Sequence, residues 1–359
     1  MLLLDIITSL VISIFGLAVF PHSKLLRRTC GIILVAHYIN VLWRPYPADA
    51  LKFFIYESAC FLGIALFIYS DRAILNDAYL NHKRSGQTLP LAEMTLLQRV
   101  RWSTDAFLNL RGINWSWEIP HLRRSTLSRW GFVGYQLLQL LGCVAINGIS
   151  KYPLKGNPVW QPDRKEGFRS GGFVTQTYNV MVFWVLAWSS QLSLYILVST
   201  ATVALGFYEP KDWPSLFGPW SSLTSMRKFW GQYWHQLLRR PFQAHGKFVT
   251  DKVLGLSPGS KISSYIQLYI AFFLSGLFHA GADWAATKTF QNSRSTFMFY
   301  ILQAVVITFE DGVIALGRVA GVYQIPSVIS YVWVLFWVSM LGPMWIEGMV
   351  KGRLLQLFI

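Results

Sequence analysis

The sequence predicts an all-α, polytopic transmembrane helical bundle of about eight spans, with further helices lying in the interface. Of 359 residues, 53% are hydrophobic and only 14% are charged. A soluble globule is usually about 25% charged, so too few charges are present to cover one of this size. Apolar runs recur at lengths near the roughly 20 residues needed to cross a bilayer. The net charge of +15 sits in Lys and Arg scattered between those runs, as in cytosolic loops of membrane proteins.

The first run, 2–20, contains Asp5 but no early basic residue. A cleaved leader needs a positive start and a small-residue cleavage site, so a retained first span is expected. Further spans are expected over 30–46, 52–70, 130–150, 178–205, 262–285, 296–317 and 326–346. Gly342-Pro343 should break the last into two pieces. The chain 1–359 reads as a single integral membrane domain.

Lys24, Arg27 and Arg28 place the first loop on the cytosolic side. Counting forward, 71–129 and 206–261 are also cytosolic, and both are basic. The loop 151–177 should then be luminal, yet it carries Lys151, Lys155, Arg164, Lys165 and Arg169. In 71–129, helix is expected from Leu91 to Phe107, followed by a turn at Arg111-Gly112-Ile113-Asn114. Trp102, Trp115 and Trp117 suit an interfacial layer. The stretch 227–242 mixes aromatics with Arg227, Lys228, Arg239 and Arg240, which predicts an interfacial helix.

So apolar a chain does not read as a nucleic-acid binder, which needs a hydrophilic basic face. Cys30, Cys60 and Cys143 form no C-x-x-C pair, so neither a disulfide framework nor a zinc site is indicated. No G-x-S-x-G elbow, G-x-G-x-x-G or phosphate loop occurs.

His279 lies inside an apolar span, where an ionisable group is a functional candidate. Ser275 and Asp283 stand one turn before and after it on the same helix face. Asp283 could orient the imidazole and leave its other nitrogen as a base. His235 follows Phe229-Trp230-Gly231-Gln232-Tyr233-Trp234. A metal site from His235, His279 and Asp283 is disfavoured, because the H-x-x-H-H clusters of membrane oxidases are missing. The spacing His279-x-x-x-Asp283 also matches soluble plant alcohol acyltransferases, a weak pattern with nothing else to support it.

Taken together, the two histidine segments resemble the wax-synthase branch of the membrane-bound O-acyltransferases. That branch has F-W-G-x-x-W-[NH] before a basic, proline-containing stretch, here Phe229, Trp230, Gly231, Trp234, His235 and then Arg239, Arg240, Pro241. It later has S-G-x-x-H in an apolar helix, here Ser275, Gly276 and His279. Arg111-Gly112-Ile113-Asn114-Trp115 is similar to an R-G-I-G-W-like stretch of fungal members, with Asn114 in place of the second glycine. Plant relatives often follow the histidine with an acid, where this chain has Ala280.

The resemblance implies acyl-CoA-dependent O-acylation of a lipophilic alcohol, with no tightly bound cofactor, in a multi-pass protein of the endoplasmic reticulum. It implies His279 as base and His235 as hydrogen-bond donor to the thioester carbonyl or the hydroxyl. Trp230, Trp234, Gln232 and Ser275 would belong to the substrate site, and Arg239 and Arg240 would receive the CoA phosphates. Similar fungal proteins acetylate terpenoid or meroterpenoid alcohols in secondary metabolism. The alternatives are a long-chain-alcohol or sterol acyltransferase and, from another class, a membrane transporter using Glu57, Glu310 and the histidines.

Overall fold

The structure is a computed structural model that describes residues 1–20, 23–47, 51–76 and 81–355. In chain order its principal helices are α1 (Leu2–Val19), α2 (Lys24–Trp43), α3 (Lys52–Tyr69), α4 (Leu96–Leu108), α5 (Arg129–Ser150), α6 (Gly172–Ala204), α7 (Arg239–Lys247), α8 (Lys261–Thr287), α9 (Phe290–Val319) and α10 (Ser327–Lys351). A π-helical turn carries α3 on to Leu75. Among the described residues, eight helices are long and apolar enough to cross a membrane, all but α4 and α7. No strand occurs among them beyond an isolated bridge between Arg84 and Trp115.

Helix α1 faces inward with small and polar groups and outward with apolar ones, the reverse of a helix in a soluble bundle. On α1, Asp5, Ser9, Ser13 and Gly16 are buried, whereas Leu3, Leu4, Ile7, Val11 and Phe15 are exposed. Lipid solvates the exposed residues, and small residues let the helices approach. Asp5 accepts both guanidinium N–H groups of Arg44, at 2.9 and 3.1 Å. The chain is therefore an integral, multi-pass membrane protein.

The chain divides into two compact units. The first comprises Met1–Ile119 and Leu237–Ala304. One of its cores joins Leu17, Leu34, Tyr69 and Phe107. A second gathers Trp102, Trp115 and Trp117, all buried. The interfacial placement expected for these tryptophans is thus corrected. Trp102 Nε1 donates to Gln87 Oε1 and Trp115 Nε1 to Asp105 Oδ2, both at 3.1 Å, so protein rather than lipid headgroup satisfies those indoles. Helix α4 starts at a Thr95–Gln98 capping box, later than expected. The turn after it forms as expected, with Gly112 and Asn114 both at positive φ.

The second unit comprises Pro120–Gln236 and Val305–Ile359. Here α5 packs on α6 and α6 on α10. Gln136 Nε2 donates to Ser199 Oγ at 3.0 Å, and Gln176 Nε2 to the Ser339 carbonyl at 2.7 Å. In the basic loop before α6, Arg164 pairs with Glu347 at 3.5 Å and lies over the Phe168 ring. One charge of that loop is thus neutralised inside the protein.

Helix α10 runs unbroken through Pro343, against expectation. The adjacent Gly342 packs directly on Val180 of α6. In lipid, a proline within a span is tolerated because neighbouring groups satisfy the released backbone. The expected helix over 227–242 is also corrected. Helical turns stop at Tyr233, Trp234 is extended with ψ 151°, and helix resumes only at Arg239.

Candidate active site

His279 sits in the first unit on α8, half-buried, among residues brought by α3 and α9. Tyr56 Oη lies 2.8 Å from Nδ1, and Cys60 Sγ lies 3.7 Å from it. Tyr300 stacks on the imidazole with centroids 4.8 Å apart and planes 5° apart. Close helix contact makes this possible. A Cβ on Gly276 would stand 3.1 Å from Phe297 and 3.3 Å from Tyr300. Glycine there lets α9 press its ring against His279. The ring is thereby held on one edge and one face.

Asp283 is fully buried, with the Thr296 side chain as its polar neighbour. Ser275 is half-buried one turn before His279. Tyr56, Cys60 and Tyr300 escaped the sequence reading because they come from other helices, and no spacing rule joins them to His279. The only clue was the run of polar groups Tyr56, Glu57, Ser58 and Cys60 within one apolar span. Glu57 itself is exposed on α3.

His235 belongs to the second unit and lies in the extended link after the π-helical turn Phe229–Tyr233. The turn is wedged between aromatic rings and a backbone pair. Trp184 of α6 meets Trp234 edge-on at 4.8 Å and Trp230 at 6.2 Å. Gly218 N donates to the Tyr233 carbonyl at 2.8 Å. A Cβ on Gly218 would lie 2.1 Å from the Gln232 carbonyl oxygen, so only glycine permits this approach. Gln236 Nε2 donates to the Trp230 and Trp234 carbonyls at 2.9 and 2.6 Å. Burial pushes the Tyr233 phenol up to about 12. Trp234 is buried, Trp230 and His235 are half-buried, and Gln232 is exposed.

The entry to this turn is anchored by α9. Glu310 accepts from the backbone N–H groups of Met226 and Arg227, at 2.7 and 3.1 Å, and from Trp333 Nε1 at 2.9 Å. Arg227 forms a bidentate pair with Asp311. Glu310 is thus a structural anchor for the segment that leads into the aromatic turn, which the sequence left undecided. Glu310→Gln keeps one accepting oxygen and should cost about 1–3 kcal/mol. Thermal unfolding in detergent reads this out, and an unchanged midpoint would contradict the anchoring role.

Arg240, after the turn, belongs to the first unit and is engaged there. Its Nε donates to Asp71 Oδ2 at 3.3 Å, and its Nη2 lies 3.2 Å from His82 Nε2. Asp71 also pairs with Arg72, which lies 3.6 Å over the Trp117 ring. Burial first, and then Arg72 and Arg240, hold His82 down at about 3, so it stays neutral. Burial also lowers Arg239.

Residues 213–302, which include both histidines, match the sequence model of the Membrane bound O-acyl transferase family. Acetyltransferase ple2 of Rhodocybe pseudopiperita is 31% identical over 308 residues, covering 83% of this chain and 79% of that protein. Acetyltransferase eriL of Hericium erinaceus is 28% identical over 291 residues, covering 77% and 73%. Acetyltransferase spyB of Aspergillus fumigatus is 25% identical over 304 residues, covering 74% of this chain and 50% of that protein. No solved structure matches.

Proposed function

The chain belongs to the membrane-bound O-acyltransferase family, and on that premise we propose that it transfers an acetyl group from acetyl-CoA to the hydroxyl of a lipophilic alcohol of terpenoid or meroterpenoid type. The observation that carries the chemistry is the half-buried His279, held at Nδ1 by Tyr56 and on its face by Tyr300. The acetyl donor is supported by the names of the relatives, which are acetyltransferases. The endoplasmic reticulum is proposed from the family resemblance.

A thioester is already activated, so no covalent enzyme intermediate is needed. In the reading proposed, Nδ1 carries the proton and donates it to Tyr56 Oη, which leaves Nε2 to accept a proton. Nε2 takes the hydroxyl proton as the alcohol oxygen attacks the thioester carbonyl. The oxyanion collapses, the C–S bond breaks, and the CoA thiolate takes the proton from the imidazolium. Ester and CoA leave.

For His235 the role proposed is hydrogen-bond donation, which lowers the energy of developing negative charge on oxygen. Asn and His both occur at this place in the family motif, and both can donate. His235→Asn should therefore retain more activity than His235→Ala, by roughly tenfold. Equal and complete loss in both variants would point to proton transfer by His235 instead. Gln232 and Ser275 are proposed to touch substrate. Trp230 and Trp234 shape the turn through Trp184. Arg240 is assigned in this reading to its pairing with Asp71.

The deciding experiment incubates purified protein with acetyl-CoA, longer acyl-CoAs and a panel of terpenoid, sterol and fatty alcohols. Acetyl ester formation on a terpenoid alcohol is the expected result. Preferential use of a long acyl chain would overturn the acetyl assignment, and no CoA release with any alcohol would overturn the reaction.

A further inference from the structure

The second unit contains a cavity of about 370 Å³, a size typical of small-molecule sites. Its lining includes Arg123, Arg124, Ser125 and Thr126 together with the rings of Trp188, Tyr195, Trp213 and Trp220. We infer that this cavity seats the adenosine 3′,5′-bisphosphate end of the acyl donor, an inference that rests on the CoA-dependent reading above.

Charge is the first argument. Two arginines consecutive in the chain line the cavity, and no carboxylate does so among the described residues. Both arginines are exposed, within reach of a phosphate arriving from solvent. The 22-residue helix α5 begins directly after them, capped by Ser128. Its N-terminal dipole adds positive potential at the same end. An arginine pair suits phosphate oxygens, because each guanidinium can donate two parallel hydrogen bonds. A purely apolar acceptor would gain nothing from these cations and would desolvate the half-buried Gln139 in the lining.

Shape is the second argument. The indole and phenol walls offer faces on which a planar base stacks. The volume suits a nucleoside but not a whole CoA, so the pantetheine arm must leave the cavity. Phe217 and Tyr233 form one wall. The Phe217 ring is 5.3 Å from Trp234 and 6.5 Å from His235. That wall therefore leads from the cavity to the histidine of the aromatic turn, within the same unit. Ser215 N donates to the Arg123 carbonyl at 3.2 Å, which ties the arginine loop to the segment that brings Phe217.

The test uses the purified full chain and calorimetric titration with CoA and with 3′-dephospho-CoA, beside the Arg123→Gln/Arg124→Gln double variant and Trp220→Ala. Wild type should bind CoA more tightly than the dephospho form. The double variant should weaken CoA binding roughly tenfold and bring the two ligands level, with the KM for the alcohol unchanged. Trp220→Ala should weaken both ligands together, since it removes a stacking surface. Undiminished CoA binding in the double variant would overturn the assignment, as would a change confined to the KM of the alcohol, which would make the cavity the acceptor site. Wild-type protein that neither binds CoA nor releases it from acetyl-CoA would instead remove the reaction proposed above.

Discussion

His279→Ala should accumulate in membranes as a folded protein and lose roughly 100-fold or more in kcat, the scale of general-base catalysis. The imidazole is half-buried, so its removal leaves a cavity but no large core void. The loss should fall on kcat rather than on the KM for acetyl-CoA, because proton transfer occurs only in the transition state. Tyr56→Phe tests the cause one step back. It removes the oxygen 2.8 Å from Nδ1 and keeps the ring. Activity should fall by roughly tenfold as the imidazole loses its preferred tautomer. Near-normal turnover in well-folded His279→Ala would take this residue out of the mechanism. A silent Tyr56→Phe beside an inactive His279→Ala would leave the base and discard its orienting partner.

Asp71→Ala should be the most destabilising single change in the first unit, at about 3–5 kcal/mol. Asp71 and Arg72 are fully buried, and Arg240 reaches the same carboxylate from α7. Removing the acid leaves two guanidiniums together with no anion between them, the situation in which a broken buried pair costs most. The Trp117 ring, under Arg72 at 3.6 Å, cannot replace a carboxylate. Loss of folded yield or a large drop in the unfolding midpoint is expected. Arg240→Ala should cost less, since Asp71 keeps Arg72. Equal effects of the two would mean that the pairs do not share one network. The same cluster contains His82, held neutral down to about 3. Between about 6.5, its ordinary value, and that point the unfolded chain binds the extra proton. Stability from this group therefore falls as the pH drops through that window.

The number of spans was legible because the bilayer sets a length and excludes charge, both of which are local properties of a sequence. The two histidine segments were legible for a related reason, since each motif is contiguous. Boundaries were less so, as α6 starts at Gly172 and α9 at Phe290, earlier than hydropathy indicated. Pro343 misled because a proline breaks an isolated helix but not one packed on α6. The tryptophans misled because an indole beside a basic loop has the same composition signal whether it meets lipid or Asp105. By itself the sequence determined which residues carry titratable and hydrogen-bonding groups, and that the chain lives in lipid. Only the tertiary structure decided that Tyr56 and Tyr300 hold His279, that Glu310 anchors the aromatic turn and that Asp71 binds Arg240. These partners are far apart in sequence. Their meeting depends on how closely helices pack, which no local periodicity encodes.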